Sequence, residues 1–435
     1  MTAVSPQPAV FARFRARWLE YSPDARRHLI NAALFGLTLD GGVNAVILNL
    51  YFLRLGQGPA LVGLAGSVGM LVFALGSLPF GRLGDRVGLR RVMLLGAVIA
   101  TLGALLVLFV DVLPDWLLPA GLIGCVALVN CGLAAYYANA APYLAETAGA
   151  ANRTRAFSEQ SALYALAGFV GSLIGGSLPQ AFAALLGRSL ADPLPYRLTL
   201  IVVPCVLAYI AFALTRMREP GPQTDADQPA LASPTVVAPP KPERYLAPRA
   251  AFALIGVFSL MRFLQVGGVG AATTFFNVYM DRQFGVTPAV IGGFQAAAKL
   301  IGIPVALAIP WLTRRMGQVP LTLLASSLTV LSMLPMALGP AAWLAGLGYM
   351  GVWIVTPVRY AAFTVLSMER TPTRLRSTMN GAQEMAAGLS FSLMALSGGV
   401  LINTFGYTPL FLLGACLTVA GILALWIYAQ RSSTS

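Results

Sequence analysis

The chain has 435 residues, of which 10% are Lys, Arg, Asp or Glu and 57% are hydrophobic, whereas a soluble globular protein carries about 25% charged residues. A mean hydropathy of +0.74 excludes a string of soluble domains and leaves an integral membrane protein. The formal charge of +13 does not signal nucleic acid, because the basic residues stand in short clusters between apolar runs and not on one wet face interleaved with aromatics.

Residues 1–27 are Arg-rich and broken by Pro and Asp, so they read as a cytoplasmic segment without the apolar core of a cleavable signal. A helix needs about 20 apolar residues to cross the hydrocarbon layer. Twelve runs meet that need: 28–55, 60–80, 91–110, 118–144, 156–182, 197–216, 250–280, 288–312, 319–338, 342–367, 377–403 and 407–429. They are too long for barrel strands and do not alternate apolar with polar, so the predicted fold is an all-α membrane protein of twelve transmembrane helices. Between runs six and seven, residues 219–248 hold eight prolines with Asp, Gln and Ser and read as a flexible linker. It separates one six-helix bundle, 28–218, from a second, 249–430, with a tail at 431–435. Cys125, Cys131, Cys205 and Cys416 all fall inside apolar runs and read as packing residues.

Of the 29 basic side chains, 22 gather at one set of span ends, and only Arg54, Arg188, Arg197 and Arg282 lie at the other. The positive-inside bias then places both termini in the cytoplasm, in a plasma membrane of the bacterial inner-membrane type. The halves also echo each other. Asn49, Tyr51 and Arg54 recur as Asn277, Tyr279 and Arg282, and Leu83, Arg86 and Gly88 recur as Leu312, Arg315 and Gly317. Offsets that agree within one residue imply a duplicated six-helix unit.

Between spans two and three lies Gly81-Arg82-Leu83-Gly84-Asp85-Arg86-Val87-Gly88-Leu89-Arg90-Arg91, which suits a tight cytoplasmic hinge with an acceptor and a bidentate donor at the membrane surface. This stretch closely resembles the signature loop of the major facilitator superfamily, and the resemblance extends to the layout of six plus six spans, the central linker and the partial second copy. It implies that Asp85 docks on the cytoplasmic end of span eleven. It also implies a charge relay in which Arg86, Arg90 and Glu146 take part, with Gly81, Gly84 and Gly88 shaping the hinge. Gly168, Gly171, Gly175, Gly176 and Pro179 in span five resemble part of the pattern of the family's exporters, with Ser172 where that pattern has proline.

A charge near the bilayer centre costs about 2.5–3.5 kcal/mol even on the gentler insertion scale, so each one retained there marks a functional position. Asp40 (span one), Arg262 (span seven), Lys299 (span eight), Arg359 (span ten) and Glu384 (span eleven) qualify. Asp40 is the first choice for proton coupling and Glu384 the second, with Arg262 placed to hold Asp40 ionised. The family fold implies that spans one, four, seven and ten line a central cavity. Asn44 and Tyr51, Asn130 and Tyr137, Arg262 and Gln265, and Tyr349, Trp353, Thr356, Arg359 and Tyr360 would face it, with Lys299 contributing. His28, the single histidine, is expected at the membrane surface.

No phosphate-binding G-x-x-x-x-G-K-[ST] loop and no cluster of nucleophile with His occurs in the sequence. The chain therefore reads as a monomeric secondary transporter rather than an enzyme. Its partners would be a small-molecule substrate, protons and the lipid bilayer, without cofactor, metal or nucleic acid. The expected activity is proton-coupled efflux of small amphipathic compounds; the alternative is proton-coupled or facilitated uptake of a polar or anionic metabolite.

Overall fold

A computed structural model describes residues 18–433 except 19, 40, 150–151, 221–247 and 373–374. Among the described residues there are helices and no strands, and twelve helices are long and apolar enough to cross a membrane. They are Pro23–Arg54, Pro59–Val87, Leu89–Val107, Leu118–Thr147, Arg155–Leu186 and Leu194–Thr215 in the first half. In the second half they are Phe252–Phe284, Pro288–Met316, Gln318–Leu338, Ala342–Arg370, Thr378–Phe405 and Tyr407–Arg431. These are numbered as spans one to twelve. The side on which span one begins and span twelve ends carries most of the arginines and is called the basic side; the opposite one is the far side.

Packing repeats with a period of six spans. Span four lies against two and three, one against five, and three against six; ten likewise lies against eight and nine, seven against eleven, and nine against twelve. The halves meet where span two packs on eleven and, in the equivalent contact, five on eight. Both contacts use small residues, as helices in lipid must to approach closely. Gly176 faces the backbone of Pro288 and Gly292, Gly63 faces the Ala395 carbonyl, and Gly399 faces Ala60. The duplication read from residue offsets is thus matched by the way the spans pack.

Three local features differ from the sequence expectation. Span one is not continuous: its helix stops at Thr38 and restarts at Val43, and Gly41 has φ +77, a value that only glycine adopts without strain. The motif is not a loop, because span two stays helical to Val87 and span three begins at Leu89. The whole reversal is made by Gly88 at φ +114. His28 is not at a surface but fully buried, its ring parallel to Tyr136 and tilted against Tyr143.

Candidate functional site

On the far side the halves are clasped by polar groups. Arg54, at the end of span one, makes a bidentate ion pair with Asp281 of span seven. One turn deeper the two repeat asparagines exchange bonds. Asn49 Nδ2 donates to the Thr274 carbonyl at 2.9 Å, and Asn277 Nδ2 donates to the carbonyls of Ala45 and Val46 at 2.5 and 3.0 Å. Gln295 of span eight donates to Asn277 Oδ1 at 2.6 Å, and Ser67 and Ser392 hydroxyls meet at 2.7 Å between spans two and eleven. Asn49 and Asn277 were visible in the sequence only as a repeat; Asp281 and Gln295 carried no signal there.

At mid-depth Lys299 reaches from span eight to the break in span one and bonds the Gly41 carbonyl, Ser172 Oγ and the Gly168 carbonyl. Asp40, which precedes Gly41, lies outside the described residues. Arg262 instead faces Glu384, with guanidinium and carboxylate 3.9 Å apart. Tyr360 joins them: its ring underlies the guanidinium at 4.5 Å, and its hydroxyl donates to Glu384 at 3.2 Å. Arg262 is buried while the Glu384 side chain is 51% exposed. Beside Tyr360, Arg359 does not snorkel to the surface: it is 1% exposed, its Nε and Nη1 lack hydrogen-bond partners, and Arg262 adds repulsion.

The span-ten residues of this face open progressively toward the basic side. Tyr349 is 5% exposed and stacked on Phe276 at 3.8 Å, Trp353 and Thr356 are half-buried, and Tyr360 is 40% exposed. Tyr137 is half-buried against Phe35 and Phe73, with its hydroxyl 3.3 Å from that of Tyr164 in span five.

Four of the expected cavity residues point elsewhere. Asn44 and Asn130 line a space of about 40 Å³ inside the first bundle, among Leu48, Val107, Val126 and Leu200. Tyr51 is fully buried in that bundle's core, and Gln265 is fully buried against Gly421 of span twelve within the second bundle. Span one is broken between Thr38 and Val43, so residues on the two sides of the break do not share one helical face. Toward the other half span one presents the Asn49 side chain and the carbonyls of Ala45 and Val46 instead.

On the basic side the motif serves its own half. Arg90 places a guanidinium N–H 3.0 Å from the Met217 carbonyl at the end of span six. Glu219 caps span three through the Arg90 amide at 3.0 Å and approaches its guanidinium at 3.8 Å. Gly84 makes room for Asn139 of span four, whose amide donates to the carbonyls of Phe80 and Ala135, and Gly81 lies near Ala138 of the same span. Asp85 and Arg86 are exposed, and among the described residues Asp85 has no hydrogen bond or ion pair, so the docking on span eleven is not made here. Glu146 is half-buried near the end of span four.

The sequence profile of the Major Facilitator Superfamily matches residues 30–390. The chain belongs to that superfamily. Solved structures with the same fold include the nucleoside transporter NupG, 13% identical, with 94% of this chain and 98% of that one covered and a TM-score of 0.69. A D-xylose-proton symporter is 14% identical, with 92% and 96% covered and a TM-score of 0.68. A bacterial homolog of the human lysosomal transporter Spinster, in an inward-facing and unoccupied conformation, is 15% identical, with 93% and 95% covered and a TM-score of 0.65. As a facilitator-superfamily member the chain is a secondary transporter of small molecules, not an enzyme.

Efflux of amphipathic compounds is not supported for this transporter. The span-five glycines behind that expectation serve close packing. Gly171 and Gly175 face the backbone of span one near its break, and Gly176 faces span eight. That packing is needed whichever way the cargo moves.

Proposed function

We propose that the chain is a proton-coupled importer of a small polar metabolite carrying a negative charge, with the basic side in the cytoplasm. The observation that carries this reading is the Arg262–Tyr360–Glu384 cluster with Arg359 beside it. Around it stand two buried guanidinium groups and one half-exposed carboxylate. An unpaired guanidinium in a membrane interior is costly, and an anionic cargo supplies the missing charge.

The coupling follows from competition for Arg262. While Glu384 is ionised it holds the guanidinium from one side. Protonation frees Arg262 for the cargo anion, so proton and anion favour each other's binding. By linkage that coupling is reciprocal, and mutual support on the same side of the barrier is symport. The broken span and the duplicated halves support alternating access, in which one half rocks against the other around a midplane site. The positive-inside bias supports the orientation, and the superfamily supports a monomer working with protons.

The test is uptake into proteoliposomes under an imposed pH gradient, with a panel of carboxylate- or phosphate-bearing solutes, neutral polar solutes and lipophilic cations. Only anionic solutes are expected to accumulate. Glu384→Gln is expected to keep exchange of labelled for unlabelled solute while losing acceleration by the gradient, and Arg262→Ala to lose both. Accumulation of lipophilic cations, or anion uptake by Glu384→Gln that still follows the gradient, would sink the reading.

A further inference from the structure

Lys299 enters the seam between the halves from span eight and ends at the break in span one. Its Nζ donates to the Gly41 carbonyl, to Ser172 Oγ at 2.9 Å and to the Gly168 carbonyl at 3.2 Å. The Ser172 hydroxyl is itself buried and lies within donating reach of both those carbonyls, 2.8 Å from that of Gly168. The positive φ of Gly41 turns its carbonyl out of the helical line. The two glycines also make the room: a Cβ on Gly41 would fall on the Lys299 ammonium, and one on Gly168 would crowd it.

Two main-chain carbonyls and a hydroxyl, gathered where a spanning helix is unwound, are the kind of oxygens that hold a bare monovalent cation in membrane transporters. Here the positive group arrives on a side chain. These oxygens reach the ammonium from two directions, the unwound turn of span one and the wall of span five. We infer that Lys299 is a tethered cation: its ammonium fills an oxygen-lined monovalent-cation site at the span-one break and joins spans one, five and eight without an ion from solution. The inference is independent of the cargo, because the site lies in the seam and not in the Arg262 cluster.

Removal of the side chain then vacates a site that a small cation from solution fills. The purified full chain is unfolded thermally in sodium, ammonium, methylammonium or choline chloride at equal ionic strength. The parent is expected to unfold at the same temperature in all four. Lys299→Ala is expected to unfold well below the parent in choline, which is too large to enter, and to regain much of the difference with saturable dependence on at least one of the three small cations. Lys299→Met, which fills the space without charge, is expected to stay low in every salt.

A Lys299→Ala protein that matches the parent, or that is equally low in all four salts, overturns the inference. So does a Lys299→Met protein that responds to small cations as Lys299→Ala does. If Lys299→Ala is lost on extraction in choline, methylammonium present from lysis onward is expected to recover it, and failure of that recovery also overturns the inference.

Discussion

The two ends of the seam between the halves are built on opposite plans. On the far side, charge and hydrogen bonds run between the halves: Arg54 with Asp281, Asn49 with the span-seven backbone, Asn277 with the span-one backbone. On the basic side the same kinds of groups turn inward, Arg90 and Glu219 tying spans three and six of one half while Asp85 stays exposed. The cross-half hydrogen bonds and ion pair described above lie at Lys299 or farther toward the far side. The Arg90 end of the motif is, in this state, a brace within one half.

The strongest way to break this asymmetry is to remove the ion pair. Loss of one partner from a buried pair costs about 3–5 kcal/mol, and Arg54 and Asp281 are 18% and 9% exposed, so a shift of about 2–3 kcal/mol toward far-side opening is expected for Asp281→Ala. Spin labels on Gln57 and Gln283 would report it as a new, longer distance population. Exchanging the charges in Arg54→Asp with Asp281→Arg should restore the short one.

Asn277→Ala removes three hydrogen bonds, two of them to span one. At about 1 kcal/mol each and with incomplete additivity, it should shift the same distances by about 1–2 kcal/mol, and Asn49→Ala by about half that. If Asn49→Ala had the larger effect, the exchange would not be what closes this side.

The smallest effects belong to the basic side and sharpen the contrast. Glu219→Ala should lower the unfolding midpoint through loss of the span-three cap, worth about 1 kcal/mol, and leave the label distances unchanged. Asp85→Asn should alter neither in this state. A shift of the distances by Glu219→Ala would mean that the brace also senses the other half.

Much of the architecture was legible because span length and hydropathy are fixed by the bilayer, and because the duplicated Asn-x-Tyr pattern survives in both halves. Finer placement was not legible, for identifiable reasons. Gly41-Gly42 sits within a run apolar enough to read through, so the unwound turn was invisible and every stripe counted across it acquired the wrong phase, as with Asn44 and Tyr51. Glu384 was recognised as an intramembrane acid, but its contact with Arg262 was not foreseen, because the sequence gives depth along a helix and not the angle between helices. Glu219 was overlooked because it begins a stretch that composition marks as linker.

The asparagine clasp has one further consequence. Both amides end on main-chain oxygens, of Thr274 on one side and of Ala45 and Val46 on the other. An acceptor of this kind is present whatever side chain occupies its position, so the receiving residues are free to vary over evolutionary time while the clasp persists. Only the two donors are constrained, and an inherited copy of the six-helix unit brings its own donor with it.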